Sequence, residues 1–445
     1  MSGMDGRQNI AVVGSGIAGL SCAWLLSQRH DVTLYEANPS LGGHSCTVDA
    51  RRPGGSVPVD MGFIVYNEVT YPNLTALFAH LGVPTQASDM SFAVSLEEGG
   101  FEYGGHDLQA LFAQKRNVAR PRFWSMLAQL LWLYRLAPQA SRVDPMQTLG
   151  AWLDQHHFTA GFQRDHLLPM AAAIWSCPIG AVRDQPAASF FRFCDTHGLV
   201  RLTNRPVWRT VSGGAREYVK RLAGAIPGEK VTGREIVGVR RAADHAVVLD
   251  AQGGAARHDH VVLATHGDTA MSLLRDADDA EREVLGSFRT FANRAVLHGD
   301  ASVMPKRRAT WSSWNFCAAG DAERDPPVVT YWMNRLQGLP GADLFVTLNP
   351  KREPAPGLVF EEREFTHPIF DAPALLAQKR IWGLQGARRT WFCGAYLGAG
   401  FHEDGLQAGL AVAELLGGVA RPWRVAEPSG RLYLPQTARD LLGAL

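Results

Sequence analysis

Three features of this 445-residue chain predict an α/β protein. A short apolar run near the N-terminus ends in a glycine turn and passes into a helix, a second apolar run ends in an acid, and strand-like runs return only after long aromatic insertions. The composition permits such a fold. With 46% apolar and 20% charged residues the chain can fill the cores of two or three folding units, which excludes general disorder. Lys and Arg total 44 against 43 Asp and Glu, interspersed, so the charge does not point to a nucleic-acid partner.

The first element is the strand-like run from Ile10 to Val13. It enters Gly14-Ser15-Gly16-Ile17-Ala18-Gly19 and then the helical run from Leu20 to Leu26. Gly14 makes the tight turn, Gly16 lets backbone N–H groups approach a pyrophosphate, and Gly19 lets helix and strand pack closely. Ile17 and Ala18 open the helix, whose positive end faces the phosphates. The second strand, from Asp31, delivers Glu36 to the place where such folds set a carboxylate on a ribose hydroxyl pair. Strand, glycine turn, helix and acid together predict a Rossmann-like dinucleotide-binding domain.

Beyond Glu36 and Ala37 stand Gly42-Gly43-His44 and, later, Asp60-Met61-Gly62-Phe63. This arrangement resembles the FAD-binding signature of the flavin amine oxidase superfamily, which includes protoporphyrinogen oxidase and the carotenoid desaturases. The family most often has Arg where His44 stands. Val231 resembles the position whose backbone touches the adenine, and Ala264-Thr265 resembles the motif that closes the FAD domain. The run from Gly394 through Gly405 and Leu406 to Ala408 resembles the C-terminal flavin motif. The resemblance implies FAD held noncovalently, since no Cys or His stands in an attachment motif. It also implies a discontinuous FAD-binding domain at 1–88, 206–274 and 385–420, an inserted α+β substrate domain at 89–205 and 275–384, and a tail at 421–445. Helices are expected at Pro121 to Leu136, Met146 to His156 and Phe162 to Ala173, and strands at Val328 to Met333 and Leu344 to Leu348.

More narrowly, Gly62 to Asn67, Pro169 to Ser176, Arg209 to Gly214 and Gly400 to Gly405 resemble a branch of predicted FAD-dependent oxidoreductases associated with cyclopropane-fatty-acid synthases. That resemblance implies an unsaturated, methylated or cyclopropane fatty-acyl substrate and a lipid methyltransferase as partner. The expected reaction is dehydrogenation by hydride transfer to flavin N5. Redox-neutral isomerisation or reduction, amine oxidation, and an accessory role beside the methyltransferase stay open.

Flavin chemistry asks few residues of the protein. His402, between a glycine turn and a helix, is placed to take a proton or simply to hydrogen-bond the backbone. Glu403 reads as a base or, with Asp404, as a helix cap, and Tyr396 as a substrate-face residue or a packed phenol. Tyr66 and Asn67 follow the Asp60-x-Gly62 element and are candidates to reach the flavin face and bind substrate, and Trp175, Phe190, Trp311, Trp314, Tyr331 and Trp332 are candidates for an acyl tunnel. Six scattered cysteines with no C-x-x-C pair indicate neither disulfides nor zinc, so no metal is expected and a reducing, cytoplasmic setting fits. The N-terminus shows no signal peptide pattern. Phe123 to Leu136 is too short to span a bilayer. With Lys115, Arg116, Arg120 and Arg122 before it, the 115–136 stretch is suited to peripheral contact with the inner membrane face, the alternative being a core helix with a solvated basic edge.

Overall fold

The computed structural model describes residues 6–52, 55–140, 142–201, 203–318, 325 and 327–445. The chain opens with β1 (Asn9–Val13), α1 (Ile17–Leu26) and β2 (Asp31–Tyr35). After α2 (Pro72–His80) come β3 (Phe92–Leu96), β4 (Phe101–Gly104), α3 (Pro121–Ala140) and α4 (Ala187–Thr196), and then β5 (Glu229–Val231) and β6 (His260–Leu263). Five strands follow: β7 (Arg289–His298), β8 (Trp314–Cys317), β9 (Val329–Trp332), β10 (Phe345–Leu348) and β11 (Val359–Ile369). β12 (Thr390–Phe392) and α5 (His402–Gly417) complete the core of the fold.

Two sheets organise these strands. One is five-stranded and wholly parallel, in the order β5-β2-β1-β6-β12. A parallel sheet is covered on both faces, which explains why its central strands are unbroken apolar runs: Ile10, Ala11, Val12, Val261, Val262 and Leu263 are fully buried. α1 is buried along its whole length against α5. The approach is so close that a Cβ on Gly409 would fall 2.2 Å from the Ala18 carbonyl oxygen.

The other sheet is seven-stranded, in the order β11-β7-β10-β9-β8-β3-β4, and antiparallel except where β8 runs beside β3. The sequence predicts only helices for residues 89–205. The structure adds β3 and β4, whose Phe101 and Tyr103 are buried in the sheet's core. α3 continues four residues beyond its expected end. The helix expected from Met146 instead starts at Leu149, because the Thr148 hydroxyl accepts the Ala151 N–H at 3.2 Å and caps it there. The stretch from Phe162 is interrupted by a π turn at Gln163–Leu167 before Leu168–Trp175 resumes as α-helix.

Candidate active site

A cavity of about 400 Å³ is lined by residues that follow the strands of the parallel sheet and by strand residues of the seven-stranded sheet. One end is formed by Gly14, Ser15, Gly16, Ile17 and Ala18 of the β1–α1 turn, by Glu36, and by Gly42, Gly43 and His44, with Gly62, Phe63, Ala264, Thr265, Gly394 and Gly405 around them. Gly14 has φ +101°, and a Cβ there would meet the Ala264 carbonyl oxygen at 2.7 Å, whereas a Cβ on Gly16 would meet nothing. α1 begins without a side-chain cap, so its first N–H groups are left for a ligand. Open space at Gly16 beside uncapped donors of a helix N-terminus fits a pyrophosphate. Glu36 is held in place by Ser15 N (3.0 Å) and by Asn38 N and Nδ2 (2.9 and 3.0 Å).

Five expected cofactor residues lie outside the cavity lining. Ala37 faces solvent. Val231 accepts the Glu36 N–H at 2.9 Å as part of the strand pairing. Gly19, Leu406 and Ala408 belong to the packing of α1 and α5, where a Cβ on Gly19 would lie 1.8 Å from the Gly14 carbonyl oxygen.

The three candidate catalytic residues take different places. The His402 ring stacks on Phe63 with centroids 3.7 Å apart, and its Nε2 meets Ser45 Oγ at 2.9 Å and the Tyr218 hydroxyl at 3.1 Å. Burial, with His44 nearby, pulls its pKa down to about 3. Burial disfavours the imidazolium, and the ring stands in the cavity wall with its Nε2 on two hydroxyls. Glu403 lies about 100° further round the helix and points away from the cavity. Its carboxylate accepts Asn73 N (3.1 Å), Asn73 Nδ2 (2.8 Å), Leu74 N (2.9 Å) and Gln407 Nε2 (2.9 Å), so it caps α2. Glu403→Ala leaves these buried donors unmet and is expected to cost about 3 kcal/mol, read as a lowered Tm with FAD still bound by the folded fraction. Tyr396 lines the cavity, but its ring packs edge-on against Phe288 at 4.6 Å and its buried hydroxyl meets no partner among the described residues. Burial raises that phenol well above its usual range, so it stays protonated.

Trp175, Trp314 and Tyr331 line the opposite, apolar end together with Ile64, Val65, Met90, Ile174, Phe193 and Phe401. Trp314 and Tyr331 are register partners across β8 and β9 and share one sheet face. Trp332 therefore points to the other face, where it packs with Trp311. Trp311 is corrected accordingly: its Nε1 donates to the Pro305 carbonyl at 2.7 Å and its ring packs on Phe345, outside the cavity. Tyr66 packs into the core against Phe78, and Asn67 Oδ1 accepts Thr70 N at 2.9 Å, so neither reaches the cavity. Phe190 is buried beneath Trp175. No residue of 115–136 is part of the cavity lining.

Sequence reasoning missed a set of histidines. His266 after β6, His367 on β11 and His197 after α4 line the cavity with His44 and His402. The His44 ring lies 5.9 Å from His266 and 5.3 Å from His367, and His44 Nε2 donates to the Thr366 carbonyl at 3.0 Å. Burial pulls His44 down to about 4 and His367 and His197 to about 3, and lowers His266. Only His44, beside the paired glycines, and His402, between a glycine turn and a helix, carried a sequence signal.

Two curated relatives match short segments of the chain. Carotenoid phi-ring synthase of Chlorobaculum tepidum is 41% identical over 80 residues, covering 18% of this chain and 12% of that protein. The tRNA 5-methylaminomethyl-2-thiouridine biosynthesis bifunctional protein MnmC of Acinetobacter baylyi is 55% identical over 40 residues, covering 9% of this chain and 6% of that protein. Solved structures match nearly end to end. A CLA-producing fatty acid isomerase from P. acnes superposes with a TM-score of 0.65 at 17% identity, over 92% of this chain and 98% of that one. Cyclohexylamine oxidase from Brevibacterium oxydans gives 0.64 at 17% identity, over 92% and 100%. A putative protoporphyrinogen oxidase from Exiguobacterium gives 0.62 at 15% identity, over 93% and 99%. At these identities the three share the fold. The family described as flavin containing amine oxidoreductase matches residues 17–287, more than half of the sequence, and with the pyrophosphate cradle at Gly16 it places the chain in that family, with FAD as its cofactor.

Proposed function

We propose that this protein is an FAD-dependent oxidoreductase acting on a fatty-acyl chain. One observation carries the reading: among the described residues that line the cavity, Glu36 at the ribose end is the only Asp, Glu, Lys or Arg. An ammonium group entering the apolar end would lose its hydration and meet no carboxylate, whereas a hydrocarbon chain would meet aromatic and aliphatic walls. Phe401 stacks on Phe193 at 4.5 Å, and Trp175 packs on Phe193 at 4.8 Å, making a continuous wall that excludes water. Bound FAD supplies a two-electron acceptor for hydride, and dioxygen or another oxidant reoxidises it.

Dehydrogenation releases a proton from the carbon beside the one that loses hydride. Among the described residues no Asp, Glu or Lys lines the apolar end to take that proton, and burial lowers the pKa of the lining histidines, which supports a second reading. In a redox-neutral isomerisation, hydride leaves one carbon and returns to another, and no base is needed. Mass analysis of acyl chains after incubation with phospholipid bearing cis-unsaturated or cyclopropane chains separates the two. Loss of two hydrogens supports dehydrogenation, unchanged mass with a shifted double bond supports isomerisation, and turnover of amines alone contradicts both.

The lipid is met, in this reading, on α3. Its inner side packs Phe123, Met126 and Leu133 into the core, while Trp124, Ala128, Leu131, Trp132 and Arg135 follow one another along the outside. Trp124 and Trp132 are each 48% exposed. Arg116 and Arg120 reach only backbone carbonyls and Asn117, and no carboxylate among the described residues pairs with Lys115, Arg116, Arg120 or Arg135. Exposed indoles beside unneutralised cations suit an anionic bilayer surface. Among the described residues no helix is long and apolar enough to cross a membrane. The protein is expected to sediment with phosphatidylglycerol vesicles and not with phosphatidylcholine alone. The W124S/W132S variant is expected to lose most of that binding at unchanged Tm.

A further inference from the structure

We propose that His367 is a hydrogen-bond donor of fixed tautomer that meets an acceptor atom at the seam between the two ends of the cavity. A buried relay settles which ring nitrogen carries the proton. The Arg294 backbone N–H donates to Asn349 Oδ1 at 3.0 Å. That turns the Asn349 amide nitrogen toward Asn293 Oδ1 at 2.6 Å and the Pro327 carbonyl at 3.2 Å. Asn293 Nδ2 then donates to the Ser176 carbonyl at 2.9 Å and to His367 Nδ1 at 3.0 Å. Flipping either amide would set oxygen against oxygen and N–H against N–H at these contacts. His367 Nδ1 is therefore an acceptor, and the ring proton sits on Nε2.

The direction of that N–H follows from the anchoring. Asn293 is fully buried and outside the cavity lining, so Nδ1 is tied into the wall and Nε2, across the ring, faces the cavity that His367 lines. No acceptor among the described residues meets it. The His44 ring bridges the short distance to the dinucleotide end. It follows Gly43, where a Cβ would lie 3.1 Å from Gly16 Cα, and its Nε2–H is already donated to Thr366. Phe365 and Phe370, on the other side of His367, line the cavity with the apolar residues. The acceptor is a ring nitrogen or a carbonyl oxygen, from the flavin edge or from the head of the substrate. Asn293 and Asn349 are positioning residues. The inference rests on this cavity being the cofactor and substrate site, and is independent of the acyl reading.

The test is the imidazole nitrogen-15 spectrum of the full chain with labelled histidine, His367 being assigned from H367Q. The wild type is expected to show a protonated Nε2 and a bare Nδ1 at neutral pH. N293D, whose carboxylate accepts where the amide donated, is expected to invert the pair. FAD is then added to apoprotein, and oleate to the FAD-loaded protein. A shift of the Nε2–H signal at the first addition identifies a flavin acceptor, and at the second a substrate oxygen. H367Q keeps an N–H and is expected to bind that ligand within about threefold of wild type, whereas H367F loses about tenfold. A wild-type proton on Nδ1, or an Nε2–H signal unmoved by both additions, overturns the proposal, and the wild-type spectrum decides this even if N293D does not fold. A signal moved by FAD and not by oleate supports the donor and identifies the flavin as its acceptor.

Discussion

Replacing Gly16 by valine is expected to abolish FAD binding while leaving the fold intact. The two halves of this expectation have separate origins. A Cβ at Gly16 would meet no protein atom, and the residue's φ of −62° is one that any L-residue adopts, so the apoprotein has no steric reason to unfold. The same space lies over the uncapped start of α1 and opposite Gly43, where the pyrophosphate must approach the backbone. Displacing the phosphates from those N–H groups is expected to weaken FAD by about a hundredfold or more, roughly 3 kcal/mol. Flavin fluorescence titration measures the affinity, and circular dichroism melting of the apoprotein checks the fold. Gly14→Val is the contrasting variant. Its φ of +101° and its approach to the Ala264 carbonyl predict a protein that loses stability as well as cofactor.

Acid is expected to open the cavity abruptly. His197 is buried and His44, His367 and His402 are half-buried in the cavity wall, where desolvation by the surrounding protein lowers their pKa values to about 3 to 4 against 6.5 for an exposed imidazole. Because the folded values lie below the unfolded one, the stabilisation is present above about pH 6.5 and is lost as the pH falls toward the folded values. Each such group removes up to about 1.4 kcal/mol per pH unit within that window. Four together approach the whole net stability of a folded domain, about 5–15 kcal/mol, within two units. FAD release and loss of stability should therefore coincide near pH 5, with a proton uptake well above one. Stability curves by chemical denaturation at several pH values measure that uptake. Retention of FAD at pH 4, or an uptake below one proton, would show that these rings are not kept neutral by the fold.

How much could be read in advance depended on how local each feature is. The β1–α1 turn and Glu36 are fixed by backbone geometry over fewer than forty consecutive residues, so glycine spacing alone places them. Glu403 and Trp311 were misplaced for want of a rotation and a face. One residue along α5 separates the cavity wall from the cap of α2, and only the loop before β8 decides that Trp311 leaves the face held by Trp314. The histidine set was illegible because His197, His266 and His367 belong to widely separated segments with no spacing between them. Only the closing of the two sheets around one space brings them together.

The cavity is expected to present an acyl chain to the flavin. This is tested most directly by anaerobic titration of the FAD-loaded protein with phospholipid bearing cis-unsaturated or cyclopropane chains, beside a panel of amines, following the flavin absorbance. Lipid is expected to shift or bleach the flavin band, and amines to leave it unchanged. Bleaching by an amine, with no response to any lipid, would contradict it.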